Sequence, residues 1–477
     1  MDYAPPYMPP QYRPAPPPKA ADPLAVALGN GSLLGVGYWL LGWRRLAVLT
    51  ALISIALIAF TAAIAKPWCE ILLVLWWIAG IALGWFLARR TPHRTASRTQ
   101  RLIALGVTIP VLLAAGGLRY DASRIGADIT AGREAGDCGK ILSAQEKIWL
   151  GHRIADAPLT TNADTARETC RQLQTAADRL TTGLTADTTA LSDGYDIMNA
   201  VLAEPGNDET VDTTLDGFLN ALPTKDNCKT VTITDWLRQR KTSYNRLDRS
   251  ADTVKQVAPE AMLGCANGLV SASQWTAAKT QYQQLLDQYG ESPLAEKARA
   301  GVDKANLAIE LANVRGLLDG GSADFQPEYC SKPAKYSAAP APHKGMNLSL
   351  VYGNSDYSSK IPSGWRAKDV TQAVFVVCVG DDSNGPTVRT CPYENKTFPQ
   401  FPTQVKFHKI ALPVKVYEVR TGRLISSRTA QINGSSCPAI LHYTTSSLLR
   451  DMGPPGDVYV TPTNAAFLSA FSSFMAR

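Results

Sequence analysis

Three long stretches without a charged residue constrain this chain more than any other feature of its sequence. They cover residues 46–65, 71–88 and 102–118, and each meets or approaches the roughly 20 apolar residues that a helix needs to cross a bilayer. Pro110 lies inside the third stretch, where neighbouring helices can satisfy the carbonyl group that a proline frees. We therefore predict a membrane protein with three transmembrane helices.

Basic residues around these stretches predict their orientation. Only Lys66 and Glu70 lie in the short loop between the first two stretches. The arginines lie before the first stretch and between the second and third: Arg44, Arg45, Arg89, Arg90, Arg94, Arg98 and Arg101. Because Lys and Arg in short loops stay in the cytoplasm, we expect a plasma-membrane protein. Its N-terminus is then cytoplasmic, and residues 119–477 are extracytoplasmic.

The net charge follows the same division. Residues 1–118 contain ten of the 48 basic and three of the 41 acidic residues, so the remainder carries 38 of each sign. The basic balance of the chain therefore belongs to its membrane region. A neutral outer part does not have the basic surface of a nucleic-acid-binding protein, and we expect no nucleic-acid partner.

Two segments precede the first predicted span. Residues 1–23 are rich in proline and are predicted to be a disordered cytoplasmic tail, with a docking peptide for a cytosolic partner as the alternative. Residues 24–43 are apolar but interrupted by five glycines. We interpret them as an interfacial or re-entrant segment with Tyr38, Trp39 and Trp43 at headgroup depth. The membrane region thus covers residues 24–118.

Eight of the nine cysteines lie in the predicted outer part, and none forms a C-x-x-C pair that would suggest zinc binding. We expect structural disulfides in an oxidising compartment. The candidates are Cys138, Cys170, Cys228, Cys265, Cys330, Cys378, Cys391 and Cys437. Cys69 is left over and is interpreted as an ordinary membrane residue.

A composition shift near residue 325 predicts two outer domains. Residues 119–325 have apolar residues at helical spacing, which predicts a helical domain. Its clearest motif is a helix, a break around Pro293 and a second helix. The motif resembles a tetratricopeptide hairpin, although an array needs at least three repeats; an ordinary helical hairpin is the alternative. The candidate interaction residues are Trp275, Ala278, Tyr282, Tyr289 and Pro293.

Residues 326–477 are predicted to form a mostly antiparallel β domain. A turn at Asn384–Gly385 would join strands 373–380 and 387–393, although Pro386 argues against the shortest loop. A second hairpin would turn at Thr421–Gly422. The fold class is therefore a multi-domain α+β membrane protein.

The first of these hairpins suggests disulfide partners. Cys378 and Cys391 are equidistant from the Asn384–Gly385 bond, so we pair them. The remaining proposed pairs are Cys330–Cys437, Cys138–Cys170 and Cys228–Cys265. Eight cysteines allow 105 connectivities, so the other pairings stay open.

The layout resembles a group of uncharacterised actinobacterial membrane proteins. The residues that carry the resemblance are 28–38, 309–315 and 361–378. The resemblance implies the class of protein, and it supplies no activity, cofactor or catalytic residue.

Motifs for chemistry are missing from the sequence. G-x-S-x-G, S-x-x-K and H-E-x-x-H do not occur, and the histidines are not at ligand spacing. The acidic run at 381–385 has no glutamate at the twelfth position of a calcium loop. We expect no catalytic residues, metal or cofactor, and the absence of ionisable residues in the spans argues against transport.

These observations favour a membrane-anchored interaction or scaffold protein of the cell envelope. Its expected partners are the lipid bilayer and an envelope protein or cell-wall polymer. The alternatives are an envelope hydrolase with a cleft between its outer domains and a membrane sensor that signals to the Pro-rich tail. Oligomeric state does not follow from the sequence.

Overall fold

A computed structural model describes residues 21–64, 66–91, 97–395, 398–444 and 453–476. Most of the predicted Pro-rich tail, residues 1–20, lies outside the described residues, as does Arg94. The chain forms two compact units, residues 1–258 and 259–477. Helix α12 (Ser250–Ser271) begins in the first unit and ends in the second.

The first unit is helical. Its remaining helices are α1 (Pro23–Asn30), α2 (Val36–Leu40), α3 (Arg44–Ile64), α4 (Pro67–Arg90), α5 (Arg98–Glu134), α6 (Cys138–Gln145), α7 (Leu150–Ala155), α8 (Ala157–Gly183), α9 (Thr188–Leu202), α10 (Asp208–Leu219) and α11 (Asn227–Gln239). Aspartate side chains cap the N-termini of α6, α8, α9 and α11 by accepting backbone N–H bonds. Each cap satisfies donors that a helix start leaves free.

Helices α3, α4 and α5 are long and apolar enough to cross a membrane, by length and composition. They contain the three predicted stretches. At most 17% of the residues in each apolar window are buried, so most of these side chains face outward, as a lipid-facing surface requires. The three apolar helices suggest membrane insertion, and the disulfides described below suggest an oxidising compartment for the rest.

Helix α5 extends well beyond the predicted third span. It runs unbroken for 37 residues with Pro110 inside it, which is about 55 Å at 1.5 Å per residue. Beyond residue 118 it buries a stripe of Ala122, Ile125 and Ile129 against α6 and α8. The same helix therefore belongs to the apolar region and to the helical core.

Disulfides fix both units. Cys138–Cys170, as predicted, joins the start of α6 to α8. Cys330–Cys378 and Cys391–Cys437 lie in the second unit. Cys228 and Cys265 are also disulfide-bonded. Cys69 is free and buried in α4.

The second unit combines helices with one six-stranded sheet. Its helices are α13 (Trp275–Tyr289), α14 (Ala295–Leu318), α15 (Ser355–Ser358) and α16 (Asn464–Met475). Its strands are β1 (Ser349–Tyr352), β2 (Phe375–Val379), β3 (Ser383–Tyr393), β4 (Thr403–Glu418), β5 (Leu424–Ile432) and β6 (Asp457–Tyr459). The sheet is mixed, because β1 pairs with β2 and β6 with β4 in parallel.

Helices cover both faces of this sheet. All five residues of β2 are buried. Val377 packs in a cluster with Phe467 and Phe471 of α16. Val376 packs on the opposite side with Val314 and Leu318 of α14. The burial of β2 on both faces explains its continuous apolar sequence.

The predicted turn at Asn384–Gly385 is wrong. Strands β2 and β3 both run antiparallel to the long strand β4, and residues 383–386 already belong to β3. Register shifts around Thr387 interrupt the ladder next to Pro386, which has no N–H to donate. The predicted β4–β5 hairpin is confirmed, with Gly422 at φ +71°.

The predicted pairs Cys378–Cys391 and Cys330–Cys437 are wrong for the same reason. Cys378 lies opposite Lys415 and Cys391 lies opposite Val405. These positions are ten residues apart on β4, which is about 34 Å along a strand. A disulfide requires Cα atoms about 4.4 to 6.8 Å apart. Each cysteine therefore bonds to a segment beside its own end of the sheet.

The α13–α14 hairpin is present where the sequence predicts it. Ala278, Tyr282 and Leu285 are buried, and the Tyr282 hydroxyl donates to Asn267 Oδ1 at 2.6 Å. A Cβ at Gly301 of α14 would lie 2.6 Å from the Tyr282 ring. Glycine is therefore needed where the two helices meet.

Disulfide connectivity gives the first prediction. A non-reduced proteolytic digest should yield peptides that link Cys330 to Cys378 and Cys391 to Cys437, as read by mass spectrometry. Replacing Cys391 and Cys437 together by serine should lower the free energy of unfolding by about 2 to 5 kcal/mol. Peptides that link Cys378 to Cys391 would contradict this strand arrangement.

Helix α14 offers a matched pair of glycines for the second prediction. Gly301→Ala should lower the free energy of unfolding by about 1 to 3 kcal/mol, because the added methyl group meets the clamped Tyr282 ring. Gly316→Ala is the control, since a Cβ there meets nothing within 4 Å. It should be neutral or stabilise by up to about 1 kcal/mol. Equal effects in thermal unfolding would contradict the packing.

An ion pair of α14 gives a pH-dependent prediction. Arg315 Nη2 lies 2.9 Å from Asp369 Oδ2, and this guanidinium, with the Thr371 N–H, lowers the pKa of Asp369 from 3.8 to about 2. A lowered carboxyl pKa stabilises the fold above the ordinary pKa, and that contribution is lost as the pH falls toward 2.

Asp369→Asn should therefore lower the melting temperature at pH 6. The difference in melting temperature between the variant and the parent should shrink as the pH falls from 3.8 to about 2. Asp303→Asn, at an exposed position of α14, is the control. A difference that grows toward acid would contradict the assigned ion pair.

Candidate functional site

The predicted interaction residues are mostly used inside the hairpin. Ala278 and Tyr282 are buried, Trp275 and Tyr289 are half-buried, and Pro293 is exposed in the turn before α14. Burial removes Ala278 and Tyr282 from any partner. Of the predicted set, Trp275, Tyr289 and Pro293 remain at the surface. The tetratricopeptide-like nature of the hairpin stays a prediction.

Two histidines lie beside carboxylates, which the sequence does not reveal. The side chain of His152 is 1% exposed, with Nε2 at 3.0 Å from Asp121 Oδ2. Its Nδ1 accepts the Trp149 N–H at 3.4 Å, so Nε2 carries the proton and donates to Asp121. Both ring nitrogens are thus occupied at the start of α7.

His408 of β4 forms the second pair. Its Nε2 lies 2.6 Å from Asp457 Oδ1, and its Nδ1 lies 3.0 Å from the Gly385 carbonyl oxygen. The Thr387 hydroxyl is farther away, at 3.5 Å from Nδ1. A carbonyl only accepts, so Nδ1 carries a proton and has no lone pair to take one from Thr387. This histidine links β3, β4 and β6 and is not arranged as a general base.

A pocket with two tyrosines lies on the second unit. We call it the tyrosine pocket; its volume is about 760 Å³. It is lined by Ser355, Asp356, Tyr357, Ser359, Lys360, Ile410, Tyr459, Val460, Thr461 and Pro462. Strand β6 and helix α15 bring its two halves together from about 100 residues apart in sequence.

Asp382 sets the electrostatics beside the tyrosine pocket. Burial, followed by the negative charge of Asp382, raises the pKa of Tyr357 to about 12. Burial and a hydrogen bond to Asp382 raise the pKa of Tyr459. Asn354 Nδ2 donates a hydrogen bond to Asp382 Oδ1 at 3.3 Å. Lys360 Nζ lies 5.2 Å from the centre of the Tyr357 ring. Neutral phenols, a carboxylate and an ammonium group suit a ligand rich in hydroxyl groups.

A second concave surface surrounds the Cys391–Cys437 disulfide. We call it the disulfide groove; its volume is about 830 Å³. Its lining is rich in proline, aromatic and aliphatic residues: Cys391, Pro392, Tyr393, Glu394, Cys437, Pro438, Ala439, Ile440, Leu441, His442, Tyr443 and Pro454. The Tyr393 hydroxyl donates to the Pro438 carbonyl oxygen at 2.7 Å. This bond and the disulfide fix its two walls.

Large apolar side chains are exposed at this groove and along the loop that leaves it. Ile440 is 70% exposed. The β3–β4 loop continues from Glu394 and carries Phe398 and Phe401, which are 50% and 72% exposed. Among the residues that the structure describes, no group of three or more His, Cys, Asp or Glu side chains could hold a metal ion. The disulfide groove is therefore the candidate site for binding a partner.

Sequence reasoning found the cysteines of this groove but not the groove itself. Its walls come from β3 and from the segment after β5, which the Cys391–Cys437 bond and the Tyr393–Pro438 hydrogen bond join. Comparisons with protein-family models, curated proteins and solved structures found no match. The functional assignment therefore rests on the geometry of the chain itself.

Proposed function

We propose that this protein is a membrane-anchored, extracytoplasmic interaction protein of the cell envelope. In this proposal α3, α4 and α5 hold the chain in the membrane, and the extracytoplasmic residues 119–477 bind an envelope protein or a cell-wall polymer. The observation that carries the proposal is the disulfide groove with Ile440, Phe398 and Phe401 exposed in and beside it. Exposed apolar patches on a soluble surface mark interaction sites.

Two independent features support the proposed orientation. Consecutive spans alternate in direction, so the starts of α3 and α5 and the end of α4 share one side, and the flanking arginines lie there. By the positive-inside tendency that side is cytoplasmic. The Cys138–Cys170 disulfide follows the opposite end of α5, and disulfides persist in oxidising compartments. Both features support an extracytoplasmic position for residues 119–477.

Pre-organisation supports binding at the disulfide groove. A partner that meets a mobile surface loses affinity, because each ordered side chain and loop costs free energy. Here the disulfide and the Tyr393–Pro438 hydrogen bond hold the walls before a partner arrives. The groove can therefore use its exposed apolar area for affinity. The exposed apolar side chains Ile440, Phe398 and Phe401 favour a polypeptide partner, whereas the phenols, ammonium and carboxylate groups at the tyrosine pocket favour a hydroxyl-rich polymer.

Site-specific photo-crosslinking in the native membrane tests this proposal. A photoreactive phenylalanine analogue at Ile440 or Phe401 of the full chain should give an adduct of discrete mass after irradiation. Gel shift and mass spectrometry identify it as protein or polymer. The expected result is one dominant adduct, because a specific groove excludes most of its neighbours.

The same analogue at Tyr244, which is 94% exposed in the first unit, is the control. Position 244 should give little or no discrete adduct. If positions 440 and 401 give none, or if position 244 gives the same adducts, the disulfide groove is not the binding surface.

A further inference from the structure

Residues 21–43 form a short helical hairpin against the apolar helices. Helix α1 packs along α4 and α5, and α2 returns toward the start of α3. Ala25 and Val26 of α1 are buried in one cluster with Ala88 of α4 and Ala104 of α5. Asp22 at the base pairs with Arg101 at 2.5 Å. The hairpin thus begins and ends on the arginine-rich side of the spans.

Hydrogen bonds at the tip join the hairpin to the middle of α4 and α5. The Gly80 carbonyl oxygen accepts from Asn30 Nδ2 at 3.0 Å and from the Tyr38 hydroxyl at 3.1 Å. Trp77 Nε1 donates to the Gly31 carbonyl at 2.9 Å, and the Thr108 hydroxyl donates to that of Leu28 at 2.7 Å.

These last two bonds add donors at the carbonyl end of α1. The final carbonyls of a helix have no partner within the helix, and hydrocarbon offers them no water. The turn after α1 supplies some donors, because the Gly31 and Leu33 N–H groups donate to the Leu28 and Asn30 carbonyls and the Ser32 hydroxyl donates to that of Gly29. Thr108 and Trp77 supply further donors from the two spans that flank α1.

Glycines let the backbones approach closely. A Cβ at Gly37 would lie 2.1 Å from the Val26 carbonyl oxygen, and a Cβ at Gly84 would lie 2.2 Å from Asn30 Nδ2. Small residues at helix contacts are the usual basis of packing in membranes, where burial of apolar surface gives no driving force. Close approach thus explains Gly29, Gly35 and Gly37 of the segment, where a Cβ would lie within 2.8 Å of a neighbouring backbone atom.

The hairpin buries polar side chains beside small apolar ones and exposes large apolar side chains on the outer surface. Asn30 and Ser32 are 4% and 3% exposed. The large side chains on the outer surface are instead exposed: Leu24, Leu34, Trp39 and Trp43. A hairpin surrounded by water would have the opposite arrangement. The outer surface also continues the exposed apolar surface of the neighbouring spans.

Positions along α4 give the depth of the tip. Gly80 precedes Arg89 by nine residues, which is about 14 Å of helix. The hydrocarbon core is about 30 Å thick. With Arg89 near the interface, the bonds at Gly80 lie close to the middle of the bilayer.

We propose that residues 21–43 are a re-entrant hairpin whose outer surface binds lipid acyl chains, with its tip near the middle of the bilayer and Asn30 as the residue that locks it to α4. Asp22 and the start of α3 then lie on the same side of the membrane. The hairpin adds membrane-embedded surface without adding a span.

Spin-label accessibility in reconstituted full-length protein tests this proposal. Cys69→Ser removes the free cysteine, and a nitroxide is then attached at Leu34→Cys, at Trp43→Cys or, as a mid-span reference, at Ile55→Cys. Oxygen concentrates in the acyl region, whereas a nickel chelate stays in water. The ratio of oxygen accessibility to nickel accessibility should be higher at position 34 than at position 43. The value at position 34 should be close to the value at position 55. A ratio at position 34 equal to or below that at position 43 would overturn the proposal.

Two glycines of α4 test the lock. Gly84→Ala should move Asn30, break its bond to Gly80 and lower the oxygen-to-nickel ratio at position 34. Gly80→Ala keeps the accepting carbonyl, and its Cβ meets nothing within 4 Å, so the ratio should not change. Equal ratios in both variants would exclude Asn30 as the lock. If Gly84→Ala prevents folding, the accessibility at position 34 in the parent sequence still decides the insertion.

Discussion

The structure of the first unit depends on the continuity of helix α5. Within a bilayer backbone N–H and C=O groups must find partners inside the protein, and α5 continues as one helix beyond its apolar half, although Pro110 within it has no N–H to donate. Its character changes near Arg119, which pairs with Glu70 of α4 and donates to the Ala155 carbonyl at 3.2 Å. Before this point its side chains are mostly outward and apolar. After it, one stripe is buried in the helical core, so the anchor and the first core helix are a single element.

Strand β4 has the equivalent place in the second unit. It is 16 residues long and pairs with β2 and β3 on one side and with β5 and β6 on the other. Cysteines at the two ends of the β2–β3 edge therefore bond to different segments. The Cys330–Cys378 bond fixes a short 3₁₀ helix, Glu328–Cys330, beside α14. The Cys391–Cys437 bond joins the walls of the disulfide groove at the other end of β4.

Features set by local pattern were predictable from the sequence, and those set by distant partners were not. The apolar spans, the α13–α14 hairpin, the β4–β5 turn and the Cys138–Cys170 pair all follow from residues close in sequence or from periodicity. The acidic, Asn-Gly-containing run at 381–385 is typical of a turn, yet pairing with β4 makes it the start of β3. No local signal shows that α14 and α16 cover opposite faces of β2. The tyrosine pocket and the disulfide groove each join segments far apart in sequence, so their residues could be found singly but not as sites.

Two histidines and the disulfides of this chain hold side chains and segments in fixed positions. A catalytic base needs a nitrogen that is free to accept a proton near its substrate. In His152 and His408 both ring nitrogens instead contact backbone and carboxylate groups that orient the ring. The disulfides likewise hold surfaces in place, and the largest exposed side chains in and beside the disulfide groove are apolar. Rigid walls lower the entropic cost of association, and the proposed binding at the disulfide groove depends on that property.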